Sequence, residues 1–181
     1  MWSNRFKGDT GEDCLVLVDG TDFMVAAKGK GKELYSYKFK RSGLRYEVGL
    51  CIKTGDIVWI NGPYQPGVYN DIKIFRDSLV SFLEEGERVE ADDGYVGEHP
   101  RHVKCPAGFC NPSETLFMQQ RIRNRHETAN KRFKHFEALK QRWRHDLGEH
   151  GNVLRMAAVL TQVSFSEGEP LFQSGYRDQP Y

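Results

Sequence analysis

The sequence predicts an α/β protein in which a five-stranded mixed sheet is flanked by helices. Short apolar runs bounded by turn signals, such as CLVLV before Asp19-Gly20, predict strands that are buried on both faces. Apolar residues at helical spacing separate the later strands from the earlier ones. The order is three strands, a helix, two strands and two helices, which predicts a three-strand antiparallel meander and two further strands that arrive by helical crossover.

The strands of the meander come first. Residues 14–18 are the buried run, and residues 21–25 either continue that strand or begin a hairpin. Residues 46–52 alternate in polarity, and a KTGD turn joins them to residues 57–60, so this pair predicts a hairpin. Residues 1–13 are polar and predict a disordered N-terminal lead.

The stretch 26–43 is rich in Gly and Lys and predicts a mobile basic loop, with Tyr35, Tyr37 and Phe39 alternating along a short strand. Cations interleaved with aromatic rings suit nucleic-acid contact, and we assign Lys38 to that role. A solvated hairpin is the competing interpretation, and composition alone favours it.

An amphipathic helix is predicted over residues 71–85, with Asn70 or Asp71 as its N-cap. Residues 88–91 and 103–106 predict the two further strands. After the long helix described next, residues 152–164 predict a last apolar helix. The predicted domain therefore covers residues 14–165, followed by a C-terminal tail over residues 166–181.

One long basic helix carries the positive charge of the chain. It is predicted over residues 119–144 and opens at a capping box that begins with Asn111. Between residues 121 and 144 there are nine Lys or Arg and two Glu, so this stretch has a formal charge of +7 and the rest of the chain −6. A positive surface on a nearly neutral protein favours a polyanionic partner. A solvated basic helix is the plainer alternative.

The composition excludes several classes of protein. Hydrophobic content of 39% and charged content of 28% are ordinary for a globular domain. No apolar run approaches the length that spans a membrane, and the N-terminus lacks the apolar core of a signal peptide. Four cysteines are too few for a disulfide scaffold, so we expect reduced thiols and an intracellular protein.

Three acids are the candidate catalytic residues and metal ligands. Asp19 and Asp92 each follow an apolar strand, and Glu127 lies on the basic helix. Two carboxylates at adjacent strand ends and one from a covering helix can surround a pair of Mg²⁺ or Mn²⁺ ions, which prefer oxygen ligands. Paired ions activate a water molecule and stabilise the leaving oxygen when a phosphodiester is cleaved.

The ordered set of motifs resembles the DDE superfamily endonuclease domain of Harbinger-type transposases. The motifs are VDGTDFMV, YEVGLCIKTGDIVWINGP, NDIKIFRDS, ADDGYVG and HETANKRFKHFEAL, and they extend over residues 15–160. The resemblance implies an RNase H-like fold and a metal-dependent DNA endonuclease or strand transferase in the nucleus. It implies that Asp19, Asp92 and Glu127 are the catalytic acids, with Asp93 and Asp71 as further candidate ligands.

The expected partner is DNA, with Arg123, Lys131 and Lys134 along its phosphate backbone. The sequence departs from the family at Thr161 and Gln162, where many relatives have a Leu-His-Asn step. Relatives also carry a helical DNA-binding segment before the first strand, and this chain starts almost at that strand. A separate DNA-binding protein is therefore a second expected partner. The alternative function is a truncated or host-adopted, non-catalytic module that binds nucleic acid or a partner.

A second cluster of metal-ligating residue types lies in the segment HPRHVKCPAGFC. His99, His102, Cys105 and Cys110 are residue types that bind zinc. Their spacing is not one of the strong zinc signatures, and we favour a loop with two ordinary histidines and two packed cysteines.

Overall fold

A computed structural model of the chain describes residues 1–6, 14–26 and 31–168. This part of the chain contains a mixed sheet of six strands. The strands are Cys14–Met24 (β1), Tyr35–Ser36 (β2), Arg41–Cys51 (β3), Ile57–Tyr64 (β4), Arg88–Glu90 (β5) and Val103–Lys104 (β6).

Strand β1 lies at the centre of the sheet. It pairs with β3 in antiparallel orientation and with β5 in parallel orientation, and β6 is parallel to β5. Strands β2 and β4 are both antiparallel partners of β3. The α/β class, the antiparallel meander of β1, β3 and β4, and the two further strands are confirmed. The predicted count of five was too low, because Tyr35–Ser36 pairs with the first two residues of β3.

Four α-helices cover the described sheet. They are Asp71–Asp77 (α1), Pro112–Phe133 (α2), Glu137–Lys140 (α3) and His150–Ser166 (α4). Short 3-10 helices connect these elements at Trp2–Phe6, Lys32–Leu34, Leu79–Phe82, Asp93–Glu98, Pro106–Gly108 and Leu147–Glu149. None of the helices in the described ranges is long and apolar enough to cross a membrane.

Helix α1 is shorter than the predicted helix over residues 71–85. The α-helical geometry ends at Ser78, which has φ −139° and ψ −77°. The Ser78 hydroxyl donates a hydrogen bond to the Ile74 carbonyl at 2.6 Å and accepts one from Asn61 Nδ2 at 2.7 Å. A serine side chain that bonds the backbone in this way competes with the helical pattern, and the chain continues as a 3-10 turn.

The prediction of one helix over residues 119–144 is wrong at its C-terminal end. Helix α2 begins as predicted, with Asn111 Oδ1 accepting from the Ser113 amide at 2.9 Å, but it ends at Phe133. Beyond α3, the Trp143 amide donates to the Met24 carbonyl at 2.9 Å, and the Ala26 amide donates to the Trp143 carbonyl at 2.7 Å. Pairing with the end of β1 replaces the last turns of the predicted helix. Helix α2 therefore carries five Arg or Lys and two Glu.

The core has two sides because β1 is buried on both of its faces. Val16 and Val18 pack with Phe75 of α1 on one side. On the other side Leu17 packs with Ile122 of α2, and Phe23 joins a cluster that contains residues of α2 and α4. Alternation along the strand therefore directs successive side chains of β1 to α1 and to α2.

The N-terminal residues differ from the predicted disordered lead. Trp2–Phe6 is a short 3-10 helix in which Arg5 is buried and its Nε lies 2.8 Å from Glu87 Oε1. The Trp2 ring lies 5.5 Å from the Trp59 ring on β4. Residues 7–13 lie outside the described residues, as does most of the predicted tail, whose residues 169–181 are not described. The predicted domain limits stay predictions.

Candidate active site

A cavity of about 800 Å³ lies between α2, the middle of β1 and the turn that follows β5. Every predicted catalytic acid lines it, together with every cation that we assigned to DNA. These residues are Asp19, Asp92, Glu127, Arg123, Lys131, Lys134 and Lys38, and Asp93 is a further lining residue. The structure thus brings together residues from four separate stretches of the sequence.

Asp19 and Asp92 each lie two residues beyond a paired position on neighbouring parallel strands. Leu17 of β1 is in register with Glu90, the last residue of β5. Asp19 lies within β1, which continues to Met24, whereas Asp92 lies two residues past the end of β5. Strands β1 and β5 are neighbours, as predicted, but the two aspartates do not both lie on strands. Asp92 is also the N-cap of the following 3-10 helix, because its Oδ1 accepts from the Gly94 amide at 2.9 Å.

Burial and neighbouring carboxylates shift the titration of Asp19. The pKa of Asp19 is raised to about 7, chiefly by burial and in smaller part by the charges of Asp92 and Asp71. Lys38 opposes this shift, as does a hydrogen bond to the Gly20 amide. The nearby Lys38 therefore does not offset the cost of burying the Asp19 carboxylate.

Glu127 reaches the same cavity from α2, but its carboxylate is directed to a cation of its own helix. It is exposed, and its Oε1 lies 3.5 Å from Arg123 Nε. Within residues 1–6, 14–26 and 31–168, no three His, Cys, Asp or Glu side chains are arranged so that they could hold a metal ion. The three acids therefore share a cavity without converging on one point.

The donor set nevertheless fits a hard divalent cation. Asp19 offers carboxylate oxygens from within β1 and Asp92 from the turn after β5, and such ligands suit Mg²⁺ or Mn²⁺. Burial, with a smaller contribution from Asp92 and Asp71, keeps the pKa of Asp19 raised despite the charge of Lys38. A cation bound between Asp19 and Asp92 would favour their ionised forms. Asp19 and Asp92 would be its first ligands, and Glu127 would be the third after its ion pair with Arg123 opens.

Asp71 does not line the cavity, and it is not the helix cap. Asn70 is the N-cap of α1, because its Oδ1 accepts from the Lys73 amide at 3.1 Å. The Asp71 carboxylate lies behind β1, where a Cβ atom on Gly20 would come within 1.8 Å of Asp71 Oδ1. Gly20 therefore continues β1 as the residue that leaves room for this carboxylate. Of the two alternatives left open for residues 21–25, the structure shows that Thr21–Met24 continue the strand.

Asp93 has a structural partner although it lines the cavity. Its Oδ1 accepts a hydrogen bond from the Ala107 amide at 2.8 Å. That bond ties the 3-10 helix Asp93–Glu98 to the segment before α2. Each of the two adjacent aspartates thus has one carboxylate oxygen bonded to a backbone amide.

The cations lie on both sides of the cavity mouth. Lys38 Nζ lies 3.5 Å from the Gly20 carbonyl, on the turn between β2 and β3. Lys134 Nζ lies 5.9 Å from the ring of Phe39, which also lines the cavity. Lys131 is exposed one helical turn after Glu127. This placement suits a phosphate backbone that crosses the acids.

Sequence reasoning missed several lining residues, among them His126, Thr21 and Asn130. His126 is 3% exposed, and burial lowers its pKa to about 3. One of its ring nitrogens hydrogen-bonds to the Leu17 backbone, while Nε2 is buried without a partner. Thr21 Oγ1 lies 2.8 Å from Asn130 Oδ1, and this contact joins β1 to α2. For His126 and Asn130 the sequence offers one indication of a role in the site. Both are polar, and they lie on the face of α2 that also carries buried apolar residues.

The His/Cys segment lies outside this cavity and its side chains have other partners. His99 Nδ1 is 3.1 Å from the Val103 carbonyl, and His102 Nδ1 is 2.9 Å from Glu98 Oε2. Cys105 is buried, but Cys110 is exposed, so the prediction of two packed cysteines is wrong for Cys110.

A scan against protein-family models finds no match to this chain, and a search of curated proteins finds no match either.

Gln162, one of the two departures from the resembled family, donates to Asp56 Oδ1 at 2.6 Å and accepts from the Ile57 amide at 2.9 Å. It therefore joins α4 to the β3–β4 hairpin and does not line the cavity.

Proposed function

We propose that this chain is an RNase H-like, metal-dependent DNA endonuclease or strand transferase of the DDE type. The observation that carries the proposal is the pair Asp19 and Asp92, which each lie two residues beyond the paired residues Leu17 and Glu90 of adjacent parallel strands and line one cationic cavity. A central β1 with an antiparallel partner on one side and parallel strands on the other is compatible with the RNase H-like fold.

The cations and the acids of the cavity have different proposed roles. Lys131, Lys134 and Lys38 bind phosphate oxygens and hold the backbone across the acids. Asp19 and Asp92 hold the ions, and their rigid strands fix where the scissile phosphate lies. Bound Mg²⁺ or Mn²⁺ would supply an activated water and stabilise the leaving oxygen. Glu127 leaves Arg123 when the site is loaded, which also frees Arg123 for a phosphate.

Glu127 and Glu137 provide a matched test. Both are exposed acids in an ion pair on their own helix, Glu127 with Arg123 and Glu137 with Lys140 at 3.0 Å, but only Glu127 lines the cavity. We expect Glu127→Gln to lower plasmid nicking in Mg²⁺ or Mn²⁺ by roughly a hundredfold or more, since an anionic ligand is lost. DNA binding should hold or tighten, because a negative charge leaves a positive surface.

Glu137→Gln should leave both nicking and binding within a few-fold of the unmodified protein. Equal losses in the two variants would indicate general electrostatics and would remove Glu127 from the catalytic set. The absence of nicking by the unmodified protein with either ion would contradict the enzymatic proposal.

The non-catalytic module remains the second candidate, and one observation favours it. Glu127 is paired with Arg123, and the acids of the cavity do not converge. A nucleic-acid-binding module on this fold would bind DNA through the same cations and show no dependence on Asp19 or Asp92. The nicking assay separates the two functions.

A further inference from the structure

The wall that α2 contributes to the cavity changes its chemistry along the helix. Near the N-terminal end the lining side chains are Leu116, Gln119 and Gln120, which are exposed and uncharged. Beyond Glu127 they are Lys131 and Lys134. At a rise of about 1.5 Å per residue, Leu116 lies roughly 16 Å before Glu127 along the axis, and Lys131 lies roughly 6 Å after it. The acids thus separate a neutral half from a cationic half.

The cationic half suits phosphates, but the neutral half does not. Arg121 follows Gln120 but pairs with Glu90 and does not line the cavity, and the lining cation nearest to that half, Arg123, is paired with Glu127 at 3.5 Å. Leu116 is 54% exposed, so its apolar side chain is available to a ligand. Apolar surface beside amide groups is the combination that contacts a nucleobase, through its flat face and its hydrogen-bonding edge.

The same wall contains an acceptor that phosphate cannot satisfy. His126 shares its ring proton with the Leu17 backbone, so Nε2 is an acceptor, and it is buried without a partner. A buried polar atom of this kind calls for a donor from water or a ligand. A phosphodiester has no donor, whereas nucleobases carry amino and ring N–H groups.

The size of the cavity points the same way. Its volume of about 800 Å³ falls within the roughly 300–1,000 Å³ that accommodates a small molecule. A double helix is too wide to enter it with its bases paired. A nucleotide can enter when it has left the stack.

We propose that this cavity takes an unpaired nucleotide, with its base on Leu116, Gln119 and Gln120 and the adjoining phosphates on Lys131 and Lys134. The inference rests on the proposed DNA function and specifies its substrate. DNA with an unpaired end, or a duplex opened beside the scissile phosphate, is then the preferred substrate. A continuous duplex binds across the cationic half alone.

The test compares the binding of two fluorescently labelled oligonucleotides by anisotropy. One is a blunt duplex, and the other is the same duplex with a three-nucleotide single-stranded tail, tried at the 3′ and at the 5′ end. We expect one tail to tighten binding by roughly tenfold, which corresponds to about 1.4 kcal/mol and lies within the range for a stacked base. Leu116→Ser should remove that preference and leave binding of the blunt duplex unchanged.

Phe117→Ser is the matched control, because Phe117 is the next residue, is 40% exposed and does not line the cavity. It should keep the preference for the tail. Lys131→Gln should weaken binding of both probes alike and reduce the slope of log affinity against log salt by about one.

The outcomes separate the inference from the proposed function. Equal affinity for tailed and blunt DNA overturns the unpaired-nucleotide site and leaves the DNA function standing. A preference that survives Leu116→Ser, or that Phe117→Ser also removes, overturns the assignment of this wall. If neither probe binds at low salt, the DNA function itself is overturned.

Discussion

Asp19 and Asp22 are two aspartates of the same strand, and they show how the protein treats its two faces differently. Asp22 is 2% exposed, and alternation along β1 directs its side chain to the α1 side, although the residue also forms part of the cavity lining. It accepts hydrogen bonds from Arg45 Nε at 2.7 Å, from Arg45 Nη2 at 3.0 Å and from the Ser36 hydroxyl at 2.5 Å. Asp19 faces the cavity, has other carboxylates as neighbours and has a pKa raised to about 7.

This difference distinguishes a structural carboxylate, Asp22, from one that is available to a ligand, Asp19. A buried charge that has a bidentate Arg partner is already satisfied and contributes to the fold. A carboxylate that burial and like charges destabilise is kept at a cost in stability, and such residues occur preferentially at functional sites. On this argument the ion pair of Asp22 and Arg45 joins β1 to β3, and Asp19 is the carboxylate that could bind the proposed cation.

The largest effects are expected for substitutions of Asp19 and Asp22 themselves. Asp19→Asn should lower nicking by orders of magnitude while the free energy of unfolding holds or rises at pH 8, because the cost of an ionised buried carboxylate is removed. Asp22→Asn should instead lower the free energy of unfolding by about 1–3 kcal/mol, since Arg45 loses its bidentate partner and keeps only the ion pair with Asp71 at 3.4 Å. Nicking and urea denaturation measure the two effects.

Similar losses of stability in the two variants would contradict the division. So would an Asp19→Asn protein that nicks DNA at the original rate. The first outcome would make both residues structural, and the second would remove Asp19 from the chemistry.

A second prediction concerns Gly20, the residue of β1 that follows Asp19. A Cβ atom at this position would lie 1.8 Å from Asp71 Oδ1 and 2.6 Å from Asp71 Cγ, so Gly20→Ala must displace that side chain. We expect a loss of about 2–3 kcal/mol in the free energy of unfolding, the usual cost of overpacking.

The double variant tests the cause. Asp71→Ala removes the atoms that clash, so Gly20→Ala in the Asp71→Ala background should cost much less than it does alone. Additive losses in the double-mutant cycle would mean that Gly20 is needed for a reason other than this contact.

The sequence predicted the sheet better than the helices, and the reason is physical. Apolar runs and turn residues are local signals, so the meander and the later strands could be predicted. No Gly or Pro interrupts residues 119–144, so nothing local marks the end of α2 at Phe133. That end is set by the pairing of Trp143 with the backbone of β1, a tertiary contact.

The candidate site shows the same division. Asp19 and Asp92 could be found because each follows an apolar strand, and Glu127 because of its motif. Gly20 after Asp19 suggested a turn, but it serves a contact with Asp71 that sequence cannot reveal. The roles of Arg45 and His126 also depend on what the fold places beside them, and neither residue has a local signature.

The smallest effect is expected for Glu47, a buried carboxylate on the α1 side of β1, and it concerns the pH dependence of stability. Glu47 of β3 is in register with Gly20, is 1% exposed, and accepts from Trp59 Nε1 at 2.9 Å. Unlike Asp22 it has no cationic partner among the contacts described, and its Oε1 is buried without a hydrogen bond. Its pKa is raised from 4.5 to about 8, chiefly by burial, which the Trp59 hydrogen bond opposes and the charge of Asp71 assists.

The sign of the pH dependence follows from proton binding. Between pH 4.5 and about 8 the unfolded chain has released the Glu47 proton while the folded protein retains it. The unfolded state binds fewer protons in this window, so the contribution of Glu47 to stability falls as pH rises. Glu47→Gln keeps an acceptor for Trp59 and cannot ionise, so its stability relative to the unmodified protein should rise through the same window.

We expect a difference near zero at pH 5 and on the order of 1–2 kcal/mol in favour of Glu47→Gln at pH 8, because a relaxed, partly hydrated site reduces the full effect of the pKa shift. Urea denaturation at a series of pH values measures it. Glu85→Gln, which removes a charge from an exposed residue, is the control and should show no such trend. A constant difference between Glu47→Gln and the unmodified protein from pH 5 to pH 8 would mean that Glu47 does not hold its proton in the folded state. The α1 face of β1 would then tolerate an unpaired carboxylate, and the pairing of Asp22 with Arg45 would no longer distinguish that face from the cavity.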